Sequence, residues 1–298
     1  MKVLASRRFP GPAWDQLRDV EYRDRPLAEE RTDVEALAVV AEPVDGRMLE
    51  LVPNLRVVAN YGAGYDLVDV EACRRRGVAV TNTPGVTSAA TADLTFGLIL
   101  AVRRRIVAGD SFVRSGDWGS DWAGEPLRGD EVAGSTLGIV GLGRIGSAVA
   151  QRARGFEMRV IYTRSRADSD PAFRPLAELL AEADVVSLHV PLTDETHGLI
   201  DAERLALIRD GGCLINTARG PIVDEPALVA ELVSGRLQAG LDVFAEEPNV
   251  PRELFELPNV VMTPHLGTAT QTTREAMTRV LVDNLLAAEA GRPLPNEV

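Results

Sequence analysis

The sequence predicts an α/β protein of two doubly wound parallel-sheet domains with a cleft between them. Short, continuously apolar runs alternate with amphipathic stretches along the 298 residues, as expected of parallel strands covered by helices on both faces. The series occurs twice, on either side of a loop-rich stretch at 106–134 that contains Trp118 and Trp122. The length also exceeds what one core usually accommodates.

In the first series, strands are expected at 2–5, 36–41, 55–60 and 77–81, with amphipathic helices at 44–51 and 68–75. A longer helix at about 88–105 starts at a Thr/Ser cap and ends in Arg103, Arg104 and Arg105. Cations there suit the negative end of the helix dipole, so the cluster reads as helix stabilisation. The second series places strands at 136–141, 159–163, 184–191, 212–217, 239–243 and 259–263, and a helix at 270–290. The expected division is 1–98 with 268–298, and 99–267.

Composition narrows the function. Hydrophobic residues at 45% and charged residues at 26% describe an ordinary globular chain. No run approaches about 18 apolar residues, and the first residues pass directly into Arg7 and Arg8, so neither a membrane span nor a secretory signal is expected. Cys73 and Cys213 are the two cysteines, which suggests a reducing cytoplasm. A net charge of −12 argues against nucleic acid as a partner. Lys2 is the single candidate for Schiff-base chemistry, and His189, His197 and His265 are the three histidines. The absence of CxxC and HxxxH pairs disfavours a metal site, and the absence of GxSxG disfavours a serine hydrolase.

The strand at 136–140 runs into Gly141-Leu142-Gly143-Arg144-Ile145-Gly146, and a helical pattern follows. The first glycine permits a tight turn, the second admits a pyrophosphate, and the third lets helix and strand pack closely. Free amides at the helix start face the anion. A purely structural turn and a methyltransferase loop are the rival readings. The next strand ends in Tyr162-Thr163-Arg164-Ser165-Arg166, and its nearest acid is Asp168. An NAD site places an acid about 20 residues after the turn. Guanidinium groups and a hydroxyl suit a ribose 2′-phosphate instead, so NADPH is expected to be preferred, with NADH as the alternative.

Three later segments follow strands: Asn216-Thr217-Ala218-Arg219-Gly220, Leu241-Asp242-Val243-Phe244-Ala245-Glu246-Glu247-Pro248, and Thr263-Pro264-His265-Leu266-Gly267. The carboxyl ends of strands line the ligand crevice of an open α/β sheet, so Arg219, Glu247 and His265 are expected to converge. Each also has a structural reading: an ion pair for Arg219, a helix cap for Asp242, a loop histidine for His265. His189 reads as structural, His197 as a surface loop or cap residue, and Cys213 as core packing.

These segments, together with Asn60-Tyr61-Gly62-Ala63-Gly64-Tyr65-Asp66 and Thr81-Asn82-Thr83-Pro84-Gly85, resemble the D-isomer-specific 2-hydroxyacid dehydrogenases, most closely the glyoxylate/hydroxypyruvate reductase branch. The resemblance implies a flavodoxin-like substrate domain and a Rossmann dinucleotide-binding domain. It implies reduction of a small 2-keto acid, with His265 as proton donor, Glu247 rather than Glu246 as its partner, and Arg219 on the substrate carboxylate. The amides of Ala63 and Gly64 complete the carboxylate site. The implied cofactor residues are Thr91, Gly141, Gly143, Arg144, Ile145, Gly146, Arg164, Ser165, Arg166, Thr217, Ala218, Asp242 and Gly267. A homodimer built around helices near 88–119 is also implied. The alternatives are a dinucleotide-sensing corepressor-like scaffold and a short phosphoglycerate dehydrogenase. A scaffold would favour long extensions, whereas the chain ends soon after its expected last helix. Ala63 stands where close glyoxylate reductases tend to carry bulkier residues, which leaves substrate size open.

Overall fold

The computed structural model describes residues 1–116, 118–119, 127–166 and 169–298. Trp122 and Asp168 lie outside the described residues. In chain order the first elements are β1 (Val3–Ala5), β2 (Val20–Tyr22), β3 (Ala36–Val39), α1 (Gly46–Leu51), β4 (Val57–Asn60), α2 (Val70–Arg75), β5 (Ala79–Thr81), α3 (Ser88–Arg103) and α4 (Ile106–Ser115). There follow β6 (Thr136–Val140), α5 (Arg144–Gly155), β7 (Arg159–Thr163), α6 (Leu176–Glu182), β8 (Val185–Leu188) and α7 (Ala202–Leu207). The last are β9 (Cys213–Asn216), α8 (Glu225–Val233), β10 (Gln238–Leu241), β11 (Val260–Met262) and α9 (Gln271–Glu289).

The chain divides into two compact units, 1–87 with 268–298, and 88–267. This boundary falls before α3, earlier than the expected break after residue 98. The reason is packing: Ala92, Phe96, Ile99 and Val102 of α3 share one core with Leu137 and Ile139 of β6 and Ile215 of β9, so the whole helix belongs to the second unit.

The first unit holds a parallel sheet in the order β2-β1-β3-β4-β5, the flavodoxin-like arrangement. Successive side chains alternate between its faces. Leu4, Leu37, Val58 and Val80 pack with residues of α1 and α2, while Val3, Ala36, Ala38 and Val57 pack against Trp14 and α9. Asp45 and Asp69 cap α1 and α2 by accepting from Met48 N at 2.9 Å and Ala72 N at 2.8 Å. β2 escapes the apolar pattern because it is a three-residue edge strand with no fully buried residue, and edge strands need only one covered side.

The second unit holds a parallel sheet in the order β11-β10-β9-β8-β6-β7. Beyond β7, Tyr162 and Phe173 form one further parallel bridge, with Tyr162 N donating to Ala172 O and Arg174 N to Tyr162 O. Counting this bridge as a reduced strand restores the Rossmann order around β6. Val140, Val186, Leu214 and Leu241 face one core; Leu137, Ile139, Val185 and Ile215 face the other. The irregular stretch expected at 106–134 is corrected by α4. That helix buries none of its residues, so it lacks the buried apolar stripe that would announce it in the sequence. Of the arginine cluster, Arg103 donates to Gly211 O and Glu131 O and pairs with Asp130.

Trp14 is buried, lies edge-on to Phe9, and donates its indole N–H to Tyr22 Oη at 2.7 Å. Trp14→Ala is expected to destabilise the first unit by about 3–5 kcal/mol, read as a lower midpoint of urea unfolding. An unchanged midpoint would show that this aromatic cluster is not part of the stabilising core.

Candidate active site

The glycine turn has the geometry its sequence requires. Gly141 has φ +99°, and a Cβ there would lie 2.9 Å from the backbone of His189. At Gly146 a Cβ would lie 2.2 Å from Gly141 O, so only glycine lets α5 start this close to β6. A Cβ at Gly143, by contrast, meets nothing within 4 Å. Gly143 is the N-cap of α5 and supplies no side-chain cap, so the first amides of the helix remain for an anion. These residues fit a dinucleotide pyrophosphate. At the end of β7, Thr163 is buried while Arg164, Ser165 and Arg166 are exposed. The Arg164 guanidinium lies over the Tyr162 ring, 5.9 Å from its centroid.

A short loop after β9 presents Arg219. Asn216 makes it rigid: its Oδ1 accepts from Ala218 N at 3.0 Å and its Nδ2 donates to Arg219 O at 2.9 Å. Arg219 Nη1 donates to Ala218 O at 2.8 Å. The next residue must be glycine, since a Cβ at Gly220 would sit 2.0 Å from Phe244 C.

His265 and Glu247 form a hydrogen-bonded pair. His265 Nδ1 and Glu247 Oε2 are 2.8 Å apart, and the Glu247 carboxylate also accepts from Phe244 N at 3.2 Å. Partial burial pushes the Glu247 carboxyl up, but the hydrogen bond and charge of His265, the Phe244 amide and the charge of Arg219 outweigh it and hold it below its ordinary value. Glu247 is thus a fixed anion that orients the imidazole. His265 itself lies at φ +55°, a conformation uncommon outside glycine. It is held there by its own N–H, which donates to Asp242 O at 2.9 Å.

Asp242 anchors this loop. It is 1% exposed, and its carboxylate accepts from Thr263 Oγ1 at 2.6 Å, Leu266 N at 2.7 Å and Gly267 N at 2.9 Å. Burial raises its pKa, and the same three donors oppose that rise. Thr91 Oγ1 donates to Gly267 O at 3.3 Å. Thr95, which sequence reasoning missed, meets the Thr217 hydroxyl at 3.0 Å; a buried threonine in a helix interior carries no sequence signal of that contact.

In the first unit, the loop after β4 carries Ala63 and Gly64. Asn60 Nδ2 donates to Gly64 O at 2.8 Å and Gly62 O at 3.3 Å, and Asn82 Nδ2 donates to Ala63 O at 2.8 Å. Three successive carbonyls are thereby turned into the protein, while the amides of Ala63 and Gly64 have no acceptor among the described residues. Asn60 and Asn82 stand within the family-like motifs, but the sequence carries no signal of what their amides hold.

The other two histidines and Cys213 have different surroundings. His189 is fully desolvated, which pushes its pKa down to about 3, and its Nε2 lies 2.8 Å from Ser187 Oγ. His197 is exposed in a turn closed by its N–H to Thr193 O. Cys213 is buried, with its thiol pushed up to about 12 by desolvation. Among the described residues no cluster of His, Cys, Asp or Glu could hold a metal, and no helix is long and apolar enough to cross a membrane.

Comparison with known proteins agrees with this geometry. The family model described as D-isomer specific 2-hydroxyacid dehydrogenase, NAD binding domain, matches residues 96–267. The glyoxylate reductase of Pyrococcus furiosus is 46% identical over 99% of this chain and 90% of its own length. That of Thermococcus gammatolerans is 45% identical over 100% and 95%. Among solved structures, the TT0316 protein of Thermus thermophilus superposes with a TM-score of 0.92 at 47% identity over the full length of both chains. The NADPH-dependent glyoxylate/hydroxypyruvate reductase of Sinorhizobium meliloti, in complex with NADP and malonate, gives 0.91 at 33% identity, covering 100% of this chain and 96% of its own. The chain belongs to the D-isomer specific 2-hydroxyacid dehydrogenase family.

Proposed function

We propose that this protein reduces a small 2-keto acid of the glyoxylate or hydroxypyruvate type to the D-2-hydroxy acid, with NADPH preferred over NADH. The observation that carries the reading is the 2.8 Å contact between His265 Nδ1 and Glu247, beside an arginine whose charge reaches the same carboxylate. Relatives named as glyoxylate reductases match this chain from end to end, which does not favour a corepressor-like scaffold or a short phosphoglycerate dehydrogenase.

A nicotinamide dinucleotide, when bound, supplies the hydride. The chain's own residues do the rest. Glu247 keeps the Nδ1 side of His265 engaged, so Nε2 holds the proton that the nascent alkoxide takes. Arg219, its backbone fixed by Asn216, binds the substrate carboxylate and polarises the keto oxygen through its planar fork. The free amides of Ala63 and Gly64 are the proposed further carboxylate donors. Gly141, Gly143, Arg144, Ile145 and Gly146 receive the pyrophosphate, and Arg164, Ser165 and Arg166 the 2′-phosphate. Thr91, Thr217, Ala218, Asp242 and Gly267 line the nicotinamide side. The Asp242 carboxylate already holds three donors, which supports a role mainly through the loop it positions. We also propose a homodimer and a cytoplasmic setting. Support for the first is α4, which buries no residue and exposes Ile106, Val107 and Val113; support for the second is a pair of free, buried cysteines.

His265→Ala is expected to lower kcat about 10²–10⁴-fold while NADPH affinity, measured by fluorescence titration, stays within error; surviving turnover would remove His265 as the donor. The pH profile has a sign. The Glu247 pKa is depressed, so its bond to His265 is complete above the ordinary carboxylate range and is lost as pH falls through the lowered value. Reduction should therefore fail on the acid side only below that ordinary range. An acid limb unaltered in Glu247→Gln would contradict the assignment.

Replacing Arg164 and Arg166 with alanine is expected to cut kcat/KM for NADPH about 10–100-fold per lost charge-assisted bond and to leave NADH within a few-fold. A wild-type preference for NADH would overturn the cofactor proposal. Light scattering after size exclusion should give twice the 32.1 kDa chain mass, and Val107→Asp with Val113→Asp should shift it to the monomer; a monomeric wild type would refute the dimer.

A further inference from the structure

At the carboxyl end of the first unit's sheet lies a cavity of about 330 Å³ lined chiefly by Arg7, Arg8, Phe9, Val40, Tyr61 and Arg274. The winding of this sheet reverses between β1 and β3. Residues 7–9 follow β1 and Val40 follows β3, so the cavity occupies the topological switch point, where open α/β sheets take their ligands.

Its charge is one-sided. Arg8 is neutralised by Asp15 at 2.5 Å, but Arg7 and Arg274 have no acidic partner among the described residues. The neighbouring acid on α9, Glu275, packs its stem against Gly11 and accepts from Gln271. Arg274 is partly buried, so its charge is screened less than that of an exposed arginine. The wall is rigid. The Phe9 and Tyr61 rings lie 4.5 Å apart, and Tyr61 Oη donates to Arg274 O at 2.7 Å, fixing the turn of α9 that carries the guanidinium. Two uncompensated guanidinium groups over an aromatic wall match a phosphate or carboxylate attached to a short carbon chain.

We propose that this cavity binds the phosphate or carboxylate group of a compact anion. Two sources share that chemistry: the distal acidic group of a 2-keto diacid substrate, or a free anion bound apart from the reaction. The substrate source rests on the proposed reductase function; the free-anion source does not.

The test titrates inorganic phosphate and succinate calorimetrically into the protein saturated with NADP⁺, at constant ionic strength. The same titrations are run on Arg7→Gln, Arg274→Gln and Arg274→Lys, each checked for native circular dichroism. Both anions should bind the wild type, each Gln variant should lose about tenfold in affinity, and Arg274→Lys should lose less. If the substrate supplies the anion, KM for 2-oxosuccinate rises about tenfold in the Gln variants while KM for glyoxylate is unchanged. If a free anion does, both KM values stay and only the binding of phosphate and succinate falls. No binding to the wild type, or equal binding to wild type and both Gln variants, overturns the site. Should Arg274→Gln misfold, exposed Arg7→Gln decides alone. Intact anion binding without turnover of any 2-keto acid would defeat the reductase function and leave this site standing.

Discussion

The buried carboxylate of Asp242 is the constraint on which the loop of His265 depends. A desolvated acid is costly unless its charge meets donors, and here the donors are Thr263, Leu266 and Gly267. Those bonds close the segment after β11 into one shape. The Asp242 carbonyl then takes the N–H of His265 and keeps that residue in a left-handed conformation it would otherwise leave. In that conformation His265 reaches Glu247. Asp242 shapes the loop that carries His265 through its backbone and side-chain bonds.

The same device recurs elsewhere. Asn216 satisfies an amide and a carbonyl of the Arg219 loop, and Asn60 with Asn82 gathers the carbonyls around Ala63. In each case a short polar side chain near a strand's carboxyl end replaces backbone partners that a loop cannot supply for itself. The loops are therefore as well defined as the strands that carry them, which chemistry at a fixed distance requires. The glycines do the complementary work by removing atoms. Gly146 and Gly220 allow approaches that no other side chain would permit.

Much of this was legible in the chain alone, for identifiable reasons. Parallel strands buried on both faces read as continuous apolar runs, so the residues of β6 to β11 stood out. β2 did not, because an edge strand such as Val20–Tyr22 needs no such run. α4 was hidden because it buries none of its residues fully. The pairing of Glu247 with His265 followed from ordered motifs and their family spacing. Thr95, Asn60 and Asn82 stayed silent, since a lone threonine or asparagine makes contacts that no periodicity records.

What the sequence by itself determined is the set of chemical parts: two wound sheets, an anion-binding turn, a histidine with its acid, and an arginine. Their identities follow from local patterns of apolar period, glycine and charge, which act over a few residues. Only the tertiary structure decided which hydrogen bonds hold each part. It assigned Asp242 to the loop of His265 and, among the described residues, freed the amides of Ala63 and Gly64 and left Arg7 and Arg274 without acidic partners. Such pairings depend on directions and distances between groups far apart in the chain, and burial sets their strength. A linear sequence contains neither.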